Sequence, residues 1–293
     1  MAIPYAEVIG DPIAHSKSPL IHRFWLEKLG LKYEYRCTLV PSHDLRLFLA
    51  SRRNDEDWCG CNVTSPHKEA VLRYVDEKST LVQALGAANC ILRRNSPEPC
   101  LTSSNTDWSG FLDPIKPWLK RDVTYKVAYI IGAGGAAAAV SYALNRAGFT
   151  IISINRSTRK ALALRRRLEL FDDDLVMPLE SLSQNAPPGV RLPADWGDRT
   201  QRLDILVNTT PLGMKGYANL EVELGAFPAD TLVYDVVYDP VETPLLGEAR
   251  RRGMPTIDGL GMLIGQAAPA FELFFGSAPP RQHDAELRAL LTS

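Results

Sequence analysis

Val127-Ala128-Tyr129-Ile130-Ile131-Gly132-Ala133-Gly134-Gly135-Ala136-Ala137 is the stretch on which the fold turns. The continuous apolar run over Val127–Ile131 predicts a parallel strand covered on both faces. Glycines follow, and then an alanine-rich segment to Ala147 that reads as a helix. A tight strand-to-helix turn favours glycine whatever its purpose. In this order, however, glycines let the backbone approach a pyrophosphate, whose charge sits on the free N–H groups of the helix start. Gly132, Ala133, Gly134, Gly135 and Ala136 are therefore candidate cofactor contacts.

The next strand, Thr150 to Ile154, runs into Asn155-Arg156-Ser157-Thr158-Arg159. A cofactor lacking the 2′-phosphate meets an Asp or Glu at this point, accepting from the ribose hydroxyls. Here the acid is missing and two arginines stand in its place, which favours NADP over NAD, because a guanidinium suits a phosphate dianion. The plainer reading makes Arg156 and Arg159 surface residues of a helix start. That helix is expected from Arg159 to Leu170, with Arg165-Arg166-Arg167 on a solvated face. A Pro-rich stretch, Gln184 to Arg202, reads as a long surface loop. Strands are expected at Leu203–Asn208 and Thr231–Val236, and Leu260 to Phe275 is apolar apart from Gln266.

Working back towards the start, Tyr5–Gly10 predicts a buried strand and Ser18-Pro19 a helix opening, with serine as cap and proline in the first turn. That helix should end at Gly30. Tyr33–Val40 is a second strand, Asp44–Arg52 a helix, Gly60–Thr64 a third strand, and Pro66 opens another helix. Alternating strands and helices imply α/β layering. The 293 residues suffice for two domains. The expected division is a substrate domain over 1–105, completed by 259–293, and a Rossmann-type doubly wound domain over 106–258. The final helix is expected to return to the first domain.

A net charge of -1 gives no electrostatic reason to expect nucleic acid or an anionic membrane as partner. The start, Met1–Glu7, lacks the basic and apolar segments of a secretory signal, so a cytoplasmic location is expected. The five cysteines are odd in number, and Cys59-Gly60-Cys61 lacks zinc-site spacing, so reduced thiols and no metal are expected.

Three polar stretches precede the glycine turn: Ile13-Ala14-His15-Ser16-Lys17-Ser18-Pro19, Asn62-Val63-Thr64-Ser65-Pro66-His67-Lys68 and Asn105-Thr106-Asp107. With them the chain resembles the shikimate dehydrogenase family over nearly its whole length. Pro12 to His22 reads as that family's P-I-x-H-S-x-S-P-x-x-H signature, and Asn62 to Glu69 as N-V-T-x-P-x-K-E. Gly132–Ala136, Asn155-Arg156-Ser157 and Gly259-Leu260-Gly261-Met262 complete the resemblance in the same order.

The resemblance implies reversible reduction of 3-dehydroshikimate to shikimate by NADPH, a step of chorismate and aromatic amino-acid biosynthesis. Its implied partner is a small cyclic hydroxy acid bearing a carboxylate. Ser16 and Ser18 would hold that carboxylate, and Thr64, Asn89, Asp107 and Gln266 the ring hydroxyls. Tyr238 would contact substrate from the cofactor side, Lys68 and Asp107 would form the catalytic pair, and Val236, Gly259 and Met262 would join the cofactor contacts. The chemistry agrees: hydride arriving at a carbonyl carbon leaves charge on oxygen, which needs a cation or proton donor nearby. His15 and His22 read as packing or hydrogen-bonding residues, and His67 is placed near the site with nothing pairing it to a nucleophile.

Some positions depart from the family pattern. Ala88-Asn89-Cys90 replaces the usual V-N-T, Ser104 stands where Asp or Gly commonly precedes Asn105, and Trp108 follows Asp107 where glycine is usual. These leave two other readings open: a dehydrogenase of quinate or a related ring acid, and a nucleotide-sensing regulatory protein without turnover. Monomer and homodimer also stay open.

Overall fold

A computed structural model describes residues 2–95, 98–170, 172–183 and 202–293. The chain divides into two compact units, Met1–Gly110 with Leu263–Ser293, and Phe111–Met262. Residues 106–110 thus belong to the first unit and 259–262 to the second, the reverse of the expected division. Both crossings fall inside helices, whose hydrogen-bond ladders continue where packing partners change.

The first unit carries β1 (Tyr5–Gly10), α1 (Ser18–Leu29), β2 (Glu34–Leu39), α2 (Leu45–Arg53), β3 (Trp58–Val63), α3 (His67–Ala70), β4 (Glu77–Lys78), α4 (Thr80–Leu85), β5 (Cys90–Asn95), β6 (Pro99–Ser104) and the start of α5 (Asp107–Leu119). Its sheet runs β2-β1-β3-β5-β6-β4. β1 is parallel to β2 and β3, while β5 is antiparallel to both β3 and β6. The hairpin β5–β6 is absent from the strand–helix alternation expected from the sequence. Arg93-Arg94-Asn95 and Pro99 break up its apolar signal.

α1 ends as expected at Gly30, whose φ of 63° is the left-handed conformation glycine tolerates best. Its start differs. Lys17 occupies the N-cap position without a side-chain cap bond, and Ser18 lies inside the helix. Ser18 instead donates its backbone N–H to Ser16 Oγ at 3.3 Å. All five cysteines are free.

The second unit carries β7 (Tyr125–Ile131), α6 (Gly135–Arg146), β8 (Thr150–Asn155), α7 (Thr158–Arg167), β9 (Val176–Pro178), β10 (Arg202–Asn208), β11 (Leu232–Asp235), α8 (Pro244–Arg251) and β12 (Thr256–Ile257). α9 (Gly259–Phe275) begins here and continues into the first unit, which α10 (Asp284–Thr292) completes. The order β12-β11-β10-β7-β8-β9 is wholly parallel among its neighbours. The chain winds outward from β7 in one direction and from β10 in the other, so the topological switch point lies between them.

The arginine run of α7 is only partly a solvated face. Arg166 and Arg167 are exposed, but Arg165 is 2% exposed. Its guanidinium donates to Ile151 O at 2.6 Å, Ser153 Oγ at 3.3 Å and Asp172 O at 2.7 Å. Those acceptors engage both terminal guanidinium nitrogens and tie α7 to β8, while the buried Nε has no partner among the described residues. Most of the Pro-rich stretch, residues 184–201, lies outside the described residues. Among the described residues, no helix is long and apolar enough to cross a membrane.

Candidate active site

Strand pairing in the first unit brings distant polar residues together. Thr64 N–H donates to Ile9 O at 3.0 Å, fixing the end of β3 beside the end of β1. Val63 N–H donates to Asn89 O at 2.8 Å, and Asn89 N–H donates to Ser104 O at 3.2 Å. The antiparallel pairs Asn62↔Cys90 and Cys90↔Ser104 therefore align Thr64, Asn89 and the Asn105-Thr106-Asp107 turn. Ala88 N–H donates to Lys68 O at 2.8 Å and holds α3 against the same edge.

The side chains converge. Lys68 Nζ lies 2.5 Å from Asp107 Oδ2. Asn89 Nδ2 donates to Asp107 Oδ1 at 2.9 Å, Thr106 Oγ1 at 2.8 Å and Gln266 Oε1 at 3.2 Å. Asn89 Oδ1 in turn accepts from Thr106 N–H at 2.8 Å. Both carboxylate oxygens of Asp107 are thus engaged, so its side chain is more than a helix cap. The Asp107 side chain is 5% exposed and that of Lys68 22%, so the ammonium keeps access to solvent while its partner is buried. Burial of that carboxylate is compensated by the ion pair and the amide.

Two close approaches bring these segments together. A Cβ on Gly10 would lie 2.6 Å from Thr64 Cγ2, and one on Gly110 would lie 2.4 Å from Gln266 N. Glycine at 110 therefore lets α5 press directly on the α9 backbone and present Gln266 to Asn89.

Ser16 is half-buried and Ser18 is 6% exposed. With its cap role removed, the Ser18 hydroxyl has no protein partner among the described residues. Trp108 follows Asp107 on α5 and is half-buried. Cys90 is fully buried, with Sγ 3.3 Å from Asn62 Nδ2, and burial pushes its thiol up to about 12.

His22 and His67 are held by buried contacts. His67 Nε2 lies 2.6 Å from Val40 O. His22 stacks on Tyr35 at 4.0 Å, and burial pushes its pKa down to about 3, so it stays neutral. His15 is exposed.

In the second unit the glycine corner lies at the switch point. Gly132 has φ 124°, and a Cβ there would fall 2.3 Å from Thr209 Oγ1. Gly132 N–H donates to Ile154 O at 2.8 Å, which sets the corner beside Asn155 at the end of β8. Gly134 caps α6 with no side-chain bond, leaving the helix-start N–H groups for an anion. Arg156 and Arg159 are exposed and make no hydrogen bond or ion pair among the described residues. Ser157 caps α7, and its carbonyl accepts from Asn155 Nδ2 at 2.9 Å. An uncapped helix start and two unpaired guanidinium groups fit a phosphorylated dinucleotide.

Gly259 packs against the backbone of Val236. A Cβ on it would lie 2.3 Å from Val236 O. Met262 is 7% exposed. Tyr238 is half-buried, and burial together with Asp239 raises its phenol above the ordinary value.

Sequence reasoning missed a polar knot beside this corner. Asp235 accepts from Thr243 Oγ1 at 2.7 Å, Asn208 Nδ2 at 3.0 Å and Val237 N–H at 3.0 Å. Burial raises its carboxyl to about 6. Asn208-Thr209-Thr210 at the end of a buried strand was the signal available, since it repeats the pattern of the polar clusters in the first half.

A lysine–aspartate ion pair in one unit and a glycine corner with an uncapped helix start in the other fit the class of two-unit α/β dehydrogenases. Family models for the shikimate dehydrogenase substrate-binding domain and the shikimate 5′-dehydrogenase C-terminal domain match residues 8–91 and 259–286. Shikimate dehydrogenase (NADP(+)) of Sphingopyxis alaskensis is 46% identical, with 100% of this chain and 98% of that protein covered. Shikimate 5-dehydrogenase from Thermus thermophilus, solved with NADP(H) and shikimate, superposes with TM-score 0.79 at 33% identity, covering 99% of this chain and 100% of that one. Quinate dehydrogenase from Corynebacterium glutamicum, solved with NAD, gives 0.80 at 29% identity, covering 98% and 99%. The chain belongs to the shikimate dehydrogenase family.

Proposed function

We propose that this protein catalyses the reversible reduction of 3-dehydroshikimate to shikimate with NADPH. The observation that carries the reading is the Lys68–Asp107 ion pair joined through Asn89 to Gln266. NADPH, when bound, supplies the hydride to the carbonyl carbon.

The chain's own groups do the rest. As negative charge develops on the carbonyl oxygen, the Lys68 ammonium donates a proton to it, and in the oxidative direction neutral Lys68 takes that proton back. Asp107 holds the ammonium in place and accepts from the neighbouring ring hydroxyl. Ser16 and Ser18 bind the carboxylate, Thr64, Asn89 and Gln266 the hydroxyls, and Tyr238 the substrate from the cofactor side. Asn89 already shares two hydrogens among three acceptors, so it exchanges one protein acceptor for a substrate oxygen.

On the cofactor side, Gly132–Ala136 hold the pyrophosphate, and Asn155, Arg156, Ser157 and Arg159 the phosphorylated ribose. Val236, Gly259 and Met262 line the nicotinamide end. Five free thiols suit a reducing, cytoplasmic setting.

The test follows NADPH formation by absorbance with shikimate, quinate or no acid, each with NADP or NAD. Turnover highest with shikimate and NADP is expected. Preference for quinate would move the assignment to the related ring acid, and absence of turnover with every acid would replace the enzyme reading with the sensor.

A further inference from the structure

Lys17 stands between the two serines assigned to the substrate carboxylate, yet its charge is spent elsewhere. The residue occupies the N-cap position of α1, where a cation opposes the helix dipole and where serine, threonine or aspartate is the usual choice. Its Nζ donates to the carbonyl of Leu291 in the last turn of α10. That carbonyl is one of the acceptors a helix C-terminus leaves open, and a cation there is favoured by the dipole.

The contact belongs to a docked element. Lys28 Nζ pairs with Glu286 Oε1 at 2.9 Å, the Phe24 and His283 rings meet edge-on with centroids 6.5 Å apart, and Leu287 and Leu291 are 0% and 2% exposed. Ser16 Oγ, meanwhile, has among the described residues only the Ser18 N–H of the same three-residue loop as a partner.

We propose that Lys17 is a positioning residue, which braces the Ser16–Ser18 carboxylate loop on the C-terminus of α10 and does not itself bind the carboxylate. The inference rests on the assignment of Ser16 and Ser18 made above. The carboxylate is held by neutral hydroxyls, and the final helix, remote in sequence, sets substrate affinity.

The test uses Lys17→Met, Lys17→Arg, a chain ending at Arg288, and that shorter chain carrying Lys17→Met. Steady-state kinetics with shikimate and NADP are combined with amide hydrogen exchange over residues 15–21. Loss of one charge-assisted hydrogen bond predicts a rise of about tenfold in the shikimate KM for Lys17→Met. The value of kcat and the NADP KM should stay within about twofold, and Lys17→Arg should restore most of the loss. The shorter chain should show a similar rise, and the combination should be no worse than either change alone, because both remove one interaction. Faster exchange of the same amides is expected in both.

Equal multiplication of KM by Lys17→Met in the full and shortened chains would show direct binding of the carboxylate and overturn the proposal. So would a Lys17→Met protein with unaltered KM and exchange. If the shortened chain does not fold, the Lys17→Met and Lys17→Arg pair with exchange still decides. Should wild type turn over no ring acid, the functional reading fails, while exchange in the variants still reports whether Lys17 braces the loop.

Discussion

Gly110→Ala sets two opposing effects against each other at one atom. Alanine in place of glycine inside a helix gains about 1 kcal/mol from backbone entropy and propensity. Here the added methyl would lie 2.4 Å from Gln266 N and 2.6 Å from both its Cα and Cβ. Ordinary carbon contacts begin at about 3.5 Å, so the α9 backbone must retreat by roughly 1 Å. Backbone cannot swing aside as a flexible side chain would, and such overpacking costs about 1–3 kcal/mol. The same retreat stretches the 3.2 Å bond from Asn89 Nδ2 to Gln266 Oε1 beyond hydrogen-bond range. An unpaired polar group in a buried setting costs about 1–3 kcal/mol more. The clash therefore wins, and the net loss is about 1–5 kcal/mol.

The functional reading should be sharper than the stability loss. A displaced Gln266 weakens the hold on a ring hydroxyl, so the shikimate KM should rise about tenfold or more, with the NADP KM little altered. Thermal unfolding and steady-state kinetics of purified Gly110→Ala measure both quantities. A variant as stable as wild type with unchanged KM would refute the close approach of α5 and α9 and the role given to Gln266.

Three further outcomes are expected. Lys68→Ala should lower kcat by about 100-fold or more while NADP affinity, measured by fluorescence titration, stays near wild type; retention of most turnover would remove Lys68 as acid/base. Arg156→Ala should weaken NADP about tenfold and leave NAD unchanged, the contrast expected of one lost charge-assisted phosphate contact, and equal loss for both cofactors would exclude it. Asp235 supplies a pH signature. Its folded carboxyl titrates at about 6 against an ordinary 3.8, so wild type keeps the proton longer than the unfolded chain and loses stability as pH rises through that window. At about 1.4 kcal/mol per pH unit the loss is about 3 kcal/mol. Asp235→Asn should gain that much relative to wild type between pH 4 and pH 7 in paired thermal melts. A difference that does not vary with pH would mean the carboxyl is not buried as described.

The legible part of the molecule was its second unit. An unbroken apolar strand, glycines and an alanine-rich helix follow from local sterics and periodicity, while the strand order that puts Gly132 to Ala136 at the switch point does not. Arg165 was less legible, because a charged residue is buried only when its acceptors are supplied by another strand, and Ile151 O and Ser153 Oγ are invisible to helical spacing. Ser18 misled for a related reason: serine before proline is a sound cap signal, but here the N-cap lies one residue earlier, at Lys17, and Ser18 is the first helical residue.

The first unit divides the credit differently. Its motifs named Lys68, Asn89, Asp107 and Gln266, but nothing in their spacing says that one amide nitrogen joins three of them. That convergence depends on the antiparallel hairpin β5–β6, whose register sets Asn89 beside Asp107, and on Gly110, whose missing Cβ admits Gln266 from a helix more than 150 residues along the chain. The sequence by itself determined which chemical groups are present and the α/β class, since both follow from residue types and local periodicity. Only the tertiary structure decided which groups touch, because contacts between distant segments depend on strand register and helix approach, which no short stretch of chain encodes.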